Sequence, residues 1–173
     1  KVIAVEADGE LFKKLQTDFA SEIANGRLEL IHGDIREMYL NSRYSVKEGT
    51  YKNALKHLEN DYVVVANIPY YLTGEIFRMF LEAENQPSSL TLLVQKEVAE
   101  RIARSKKESI LSLSVKAYGT PKYEFTVKRG AFKPAPKVDS TVLTVRDISR
   151  ENFASVSQEK LFFKLIHAGF AHK

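Results

Sequence analysis

Apolar positions along the chain fall into short runs whose period changes from segment to segment. Val2-Ile3-Ala4-Val5 is an unbroken apolar run closed by Glu6, the pattern of a parallel strand covered on both faces. Leu11, Phe12, Leu15, Phe19 and Ile23 then recur at helical spacing. They predict one helix from about Gly9 to Ala24, with Asp8 placed to cap its start and Asn25-Gly26 to stop it. Leu28 to His32 predicts a second strand, ending at Gly33-Asp34. Residues 35–60 have no clean period and predict a loop with a short helix around Tyr51 to Leu58. Tyr62 to Ala66 is the most apolar run so far and reads as another buried strand.

The alternation continues downstream. Leu72 to Ala83 predicts a helix with Ile76, Phe77, Phe80 and Leu81 on one face, Leu90 to Val94 a strand, and Lys96 to Ala103 a helix. Ile110 to Ala117 fits a helix, although its alternation also fits a strand. Tyr123 to Val127 and Ser140 to Val145 alternate with period two around a proline-bearing loop. Strand–helix units closing in two consecutive strands predict an open α/β sheet with a mostly parallel centre and an antiparallel edge pair. Beyond Arg146 the chain turns polar and then helical from about Gln158 to Phe170. That tail is expected to open a small helical C-terminal domain, giving a division into 1–147 and 148–173. The chain starts without methionine on what reads as a strand already inside a fold, so a preceding segment is expected.

Bulk composition narrows the class without choosing a function. The 173 residues are 44% apolar and 28% charged, an ordinary globular balance. Absence of cysteine excludes disulfides and thiolate metal sites, and four scattered histidines give no paired ligand spacing, so no metal is expected. No apolar run reaches membrane-spanning length, and the expected location is the cytoplasm, as a monomer. A net charge of +4 permits a nucleic-acid partner but does not require one.

Three strands end in polar groups: Glu6, Asp34 and Asn67. In open α/β sheets ligands bind beyond the carboxyl ends of the strands, and an acid there can accept from ribose hydroxyls. Asp34 could accept from the exocyclic amine of an adenine. Either acid could instead cap its own turn. Asn67-Ile68-Pro69-Tyr70 is more specific. An adenine amine is a poor nucleophile because its lone pair is conjugated with the ring. Acceptors that draw the amino hydrogens out of plane free that lone pair, and the Asn67 amide oxygen with the Ile68 carbonyl can be those acceptors. Pro69 fixes the local φ, and Tyr70 offers a flat face for the base.

The stretch NIPYYL resembles motif IV of the adenine-N6 methyltransferases that use S-adenosyl-L-methionine. With VIAVEAD, GDI, LLVQKEVAERI and AFKPAPKVDSTVLTV, the chain resembles the rRNA adenine N6,N6-dimethyltransferase family over nearly its whole length. QKEVAERI and FKPAPKVDS look like the small-subunit (16S) enzymes rather than the large-subunit resistance enzymes or the DNA adenine methyltransferases. The resemblance implies a Rossmann-like class I methyltransferase sheet, with the N-terminal strand and glycine loop of the family lying before Val2. It implies Glu6 on the cofactor ribose, Asp34 on its adenine, and Asn67 at both cofactor and target amine. Tyr70 and Phe132 would stack on either side of the target base. Tyr71 stands where relatives more often carry an amide or histidine, and altered packing beside the pocket is expected.

The implied reaction is dimethylation of adenine N6 in rRNA of the immature small subunit. Alternatives are a large-subunit (23S) methyltransferase conferring macrolide resistance and a non-catalytic assembly factor. Cations stand where RNA would lie: Arg101, Arg104, Lys106 and Lys107 after QKEVAE, and Lys128, Arg129, Lys133 and Lys137 around Phe132. RGAFKPAPK, with cations, an aromatic and prolines, suits a single-strand RNA clamp.

Overall fold

The structure, a computed structural model, describes residues 1–37 and 61–171. The expected helix around 51–58 lies outside them. The chain forms two compact units, Lys1–Asn60 and Asp61–Lys173.

In the first unit β1 (Val2–Glu6) and β2 (Leu28–His32) pair in parallel, from Val2 with Leu28 to Glu6 with His32. The connection is helical, but the single helix expected is two: α1 (Gly9–Asp18) and α2 (Ala20–Ala24), broken at Phe19. Thr17 and Asp18 are weak helix formers, and the Thr17 hydroxyl donates back to the Lys13 carbonyl at 3.2 Å, a bond that bends helices. Asp8 caps α1, its Oδ1 accepting from the amides of Glu10 and Leu11 at 2.8 and 2.9 Å. Gly26, with φ 75°, ends α2 in the left-handed region that favours glycine. β1 is less covered than its apolar run predicts, with Val2 exposed and the next four positions half-buried.

In the second unit β3 (Val63–Asn67), β4 (Ser89–Gln95), β5 (Thr120–Val127) and β6 (Ser140–Arg146) form one sheet in the order β3-β4-β6-β5. β3 and β4 are parallel, while β6 runs antiparallel to both β4 and β5, as the element order predicts. Helices α3 (Thr73–Leu81), α4 (Lys96–Ala103) and α5 (Ile110–Tyr118) supply the layers, and α6 (Val156–Phe170) packs on α5. The helical reading of Ile110 onward therefore prevails over the strand.

The core follows from β4 being an interior strand. Leu90, Leu92 and Val94 are fully buried, with Leu143 and Val145 of β6 and Ile76, Phe77, Leu81, Ile102 and Val115 of the helices. Burying each such side chain favours folding by about 1.5–3 kcal/mol. Pro121 sits on β5, at the margin of the sheet, where its missing N–H leaves no interior ladder bond unmade. β3 departs from expectation. Read as buried, it lies at the other margin of this sheet, and Val65 is 77% exposed. Its start is anchored instead by Tyr62, whose hydroxyl donates to the Asn85 carbonyl at 2.8 Å; burial pushes that phenol up to about 12.

Candidate active site

In the first unit the two acids share the carboxyl edge of the strand pair. Glu6 is the register partner of His32, and the Gly33 amide bonds the Glu6 carbonyl at 3.0 Å, which places Asp34 directly beyond that end. Both carboxylates also brace their own turns. Glu6 Oε1 accepts from the Asp8 amide at 2.8 Å, and Asp34 Oδ1 from the Arg36 amide at 2.8 Å. The Arg36 guanidinium lies against Asp34 as well, with Nε 2.9 and 3.0 Å from its two oxygens. That hydrogen-bonded guanidinium holds the Asp34 carboxyl below the usual aspartate range. Glu6 keeps acceptor capacity that suits ribose hydroxyls, such as S-adenosyl-L-methionine presents on its nucleoside half, whereas Arg36 occupies both oxygens of Asp34 and would have to yield for an exocyclic amine to bond there.

In the second unit Asn67 is the last residue of β3, exposed, with Leu93 as its register partner. Pro69 has φ −54°, and its carbonyl accepts the Leu72 amide at 3.0 Å to start the turn Tyr70–Leu72. The Tyr70 carbonyl accepts from the Thr73 hydroxyl at 2.8 Å, with Thr73 itself buried. The turn is thus built on the carbonyls of Pro69 and Tyr70. Tyr70 is half-buried, and its hydroxyl lies 2.7 Å from Ser140 Oγ. Tyr71 points its ring outward, 80% exposed.

Phe132 follows the short turn Arg129–Ala131 and is half-buried. Asp139 closes the base of its loop. One carboxylate oxygen accepts from the Arg129 amide at 3.0 Å, the other from the Lys128 ammonium at 2.9 Å. These donors, the amide foremost, hold the Asp139 carboxyl below its ordinary range. Ser140, the next residue, is paired by register with Gln95 and with Val127. Asn67, Tyr70 and the base of the Phe132 loop therefore cluster at the end of the sheet where β3 and β4 terminate.

The eight cations divide. Arg101 is engaged by Glu97 one turn earlier at 2.6 Å, an exposed pair, and Arg104 lies 3.5 Å over the Tyr123 ring. Lys128 braces Asp139. Lys106, Lys107, Arg129, Lys133 and Lys137 are solvent-exposed. Among the described residues no group of three or more potential metal ligands occurs, and no helix is long and apolar enough to cross a membrane.

The residues that sequence reasoning passes over are Ser140, Asp139 and Arg36. A serine opening a strand and an acid before it are ordinary in sequence. What marks Ser140 is contact with a tyrosine 70 positions upstream. The signal for Arg36 is local, since an arginine two residues beyond a strand-end acid can reach back to it.

The sequence profile of the family described as ribosomal RNA adenine dimethylase matches residues 1–173. Ribosomal RNA small subunit methyltransferase A of Fusobacterium nucleatum is 36% identical over 175 residues, covering 100% of this chain and 60% of that protein. The chain thus spans less than two thirds of the length of that curated relative. Among solved structures, a dimethyladenosine transferase from Plasmodium falciparum matches with TM-score 0.73 at 23% identity, covering 100% of this chain and 56% of that one. The 23S rRNA methyltransferase ErmE matches with TM-score 0.71 at 21% identity, covering 100% of this chain and 64% of that one. The chain shares their class I methyltransferase fold.

Proposed function

The chain belongs to the ribosomal RNA adenine dimethylase family, and from that membership we propose that the protein dimethylates adenine N6 in small-subunit (16S) rRNA. The observation that carries the reading is the Asn67-Ile68-Pro69-Tyr70 turn. It stands at the carboxyl end of a parallel strand, with an exposed amide and an aromatic ring tethered by its hydroxyl. Relatives named as small-subunit methyltransferases support 16S over 23S rRNA as substrate. Likeness to ErmE supports the fold alone.

S-adenosyl-L-methionine, when bound, supplies an electrophilic methyl group. Glu6 and Asp34 hold its ribose and adenine through their carboxylate oxygens. Asn67 and the Ile68 carbonyl accept the amino hydrogens of the target adenine and turn its lone pair out of the ring plane. Tyr70 and Phe132 sandwich the base, which offsets the few kcal/mol lost on unstacking it from RNA. No side chain has to remove a proton before attack, because the amine becomes strongly acidic once alkylated. Positioning and exclusion of water provide the acceleration. Lys106, Lys107, Lys133 and Lys137 contact the RNA backbone of an immature small subunit. The protein acts as a monomer in the cytoplasm.

Asn67→Ala tests the reading. Losing an acceptor aimed at the reacting group should lower methyl transfer to unmethylated small subunits by about 100-fold. Naked large-subunit rRNA should be a poor substrate for the unmodified protein. Radiolabelled methyl transfer to both RNAs checks both statements; efficient modification of naked large-subunit rRNA would favour the resistance enzyme. Full small-subunit binding with no transfer by the unmodified protein would favour the assembly factor.

A further inference from the structure

Asp139 and Ser140 each tether one wall of the proposed base site to the same point of the sheet. Ser140 is wholly buried at the start of β6, held between Gln95 and Val127, and its hydroxyl meets that of Tyr70 at 2.7 Å. Asp139 accepts from the Arg129 amide at 3.0 Å, where the turn to Phe132 begins. The Asp139 carbonyl accepts the amide of Lys96, first residue of α4, at 3.0 Å. The segment is therefore anchored through both side chains, the main chain and two ladder neighbours. The hydroxyl of a tyrosine lies on the Cβ–Cγ axis, so a hydrogen bond there holds the far end of the ring in place and fixes the tilt of that axis. Stacking strength depends on that placement.

We propose that Asp139 and Ser140 are positioning residues for methyl transfer. Ser140 sets the position and tilt of the Tyr70 ring, and Asp139 sets the base of the loop bearing Phe132, so that two aromatic walls meet a target adenine in one geometry. The inference rests on the adenine-methylating reading above. It differs from a packing role in what it predicts. Loss of the Ser140 tether leaves a flat ring of the same size but lets its far end swing, so turnover falls while cofactor affinity holds.

The experiment uses the protein as it occurs in the cell, unmethylated small subunits and radiolabelled S-adenosyl-L-methionine. Ser140→Ala and Tyr70→Phe should each lower kcat by about three- to tenfold, the range one orienting hydrogen bond can supply. KM for the cofactor should stay within about twofold, and the double variant should be no worse than either single one, because all three lack the same bond. Asp139→Ala should lower kcat similarly, whereas Asp139→Asn keeps an acceptor for the Arg129 amide and should restore most of it. Should Ser140→Ala fail to fold, Tyr70→Phe breaks the same bond from the less buried side. Multiplying losses in the double variant, or unchanged kcat in both single ones, would overturn the proposal. An unmodified protein that transfers no methyl group to adenine would overturn the functional reading and this inference with it. An active protein indifferent to Ser140→Ala would overturn only the inference.

Discussion

Gly119 has φ −167°, extended backbone that any residue adopts, yet nothing larger fits there. A Cβ at this position would lie 2.6 Å from the Arg146 main-chain oxygen and 2.9 Å from Val145 Cγ1. The first contact is with backbone and cannot rotate away. Gly119→Ala should therefore destabilise the protein by about 1–3 kcal/mol through overpacking, read as a lower urea midpoint. An unmoved midpoint would mean that β6 shifts without cost. Asn67 is the opposite case. It is exposed at a strand end, so Asn67→Ala should leave that midpoint in place while removing activity. Residue type made Asn67 legible in the sequence, since a side-chain amide before proline is unusual equipment for a turn. Nothing local distinguishes Gly119 from a helix-stop glycine, and only the passing strand shows why it is needed.

The α5 segment shows how a local cap settles an ambiguous period. Ile110 to Ala117 alternates well enough for a strand. Ser109 and Ser112 form a reciprocal capping box, with the Ser112 amide on Ser109 Oγ at 3.1 Å and the Ser109 amide on Ser112 Oγ at 2.7 Å. Glu108 extends the cap, accepting from the Ser112 hydroxyl and from Lys116 Nζ, both at 2.6 Å. Those two bonds, Lys116 first, hold the Glu108 carboxyl below its ordinary 4.5. A carboxyl lowered on folding contributes stability that is complete above its ordinary value and is lost as pH falls through the lower native one. Glu108→Gln should cost up to about 1 kcal/mol at neutral pH, as expected for a partly exposed pair. The difference from the unmodified protein should vanish in strong acid. Thermal melts across pH 2–7 would check this, and a gap that persisted at the acid end would exclude the ionised cap as its source. The same scale explains the break at Phe19, where Thr17 and Asp18 outweigh an apolar pattern that runs on to Ile23.

Within the second unit, α6 is held by an aromatic and ionic cluster rather than by a continuous apolar stripe. Phe153, Phe162 and Phe163 gather round Tyr118, whose ring lies 5.6 Å from Phe153 and 5.9 Å from Phe163. The Tyr118 hydroxyl donates to Glu159, and burial with that carboxylate pushes its phenol far above the ordinary range. Arg150 joins Glu159 at 3.4 Å and donates to the carbonyls of Glu82 and Ala83 at 2.9 and 2.8 Å. Phe163→Ala should loosen α6 without unfolding the sheet. Amide exchange across 156–170 should then rise towards the unprotected rate while β4 keeps its protection. Equal acceleration in β4 would instead make α6 an integral part of the sheet's folding unit.

Although sequence by itself read α1 and α2 as one helix and left Ile110 to Ala117 open between helix and strand, it determined the order of the strands, the parallel centre with its antiparallel edge, and the polar groups at the strand ends. These depend on local quantities: side-chain period, capping chemistry and turn residues act over a few positions. Motifs of unusual composition, NIPYYL and FKPAPKVDS, also carried the family and the residues proposed to act. Tertiary structure alone decided how far β1 and β3 are covered, and which side chains meet. The bond between Tyr70 and Ser140 exists because the register of β4 against β6 puts Ser140 opposite Gln95, at the sheet end where β3 delivers its turn. Such a contact depends on strand pairing across distant parts of the chain, and no local pattern encodes it.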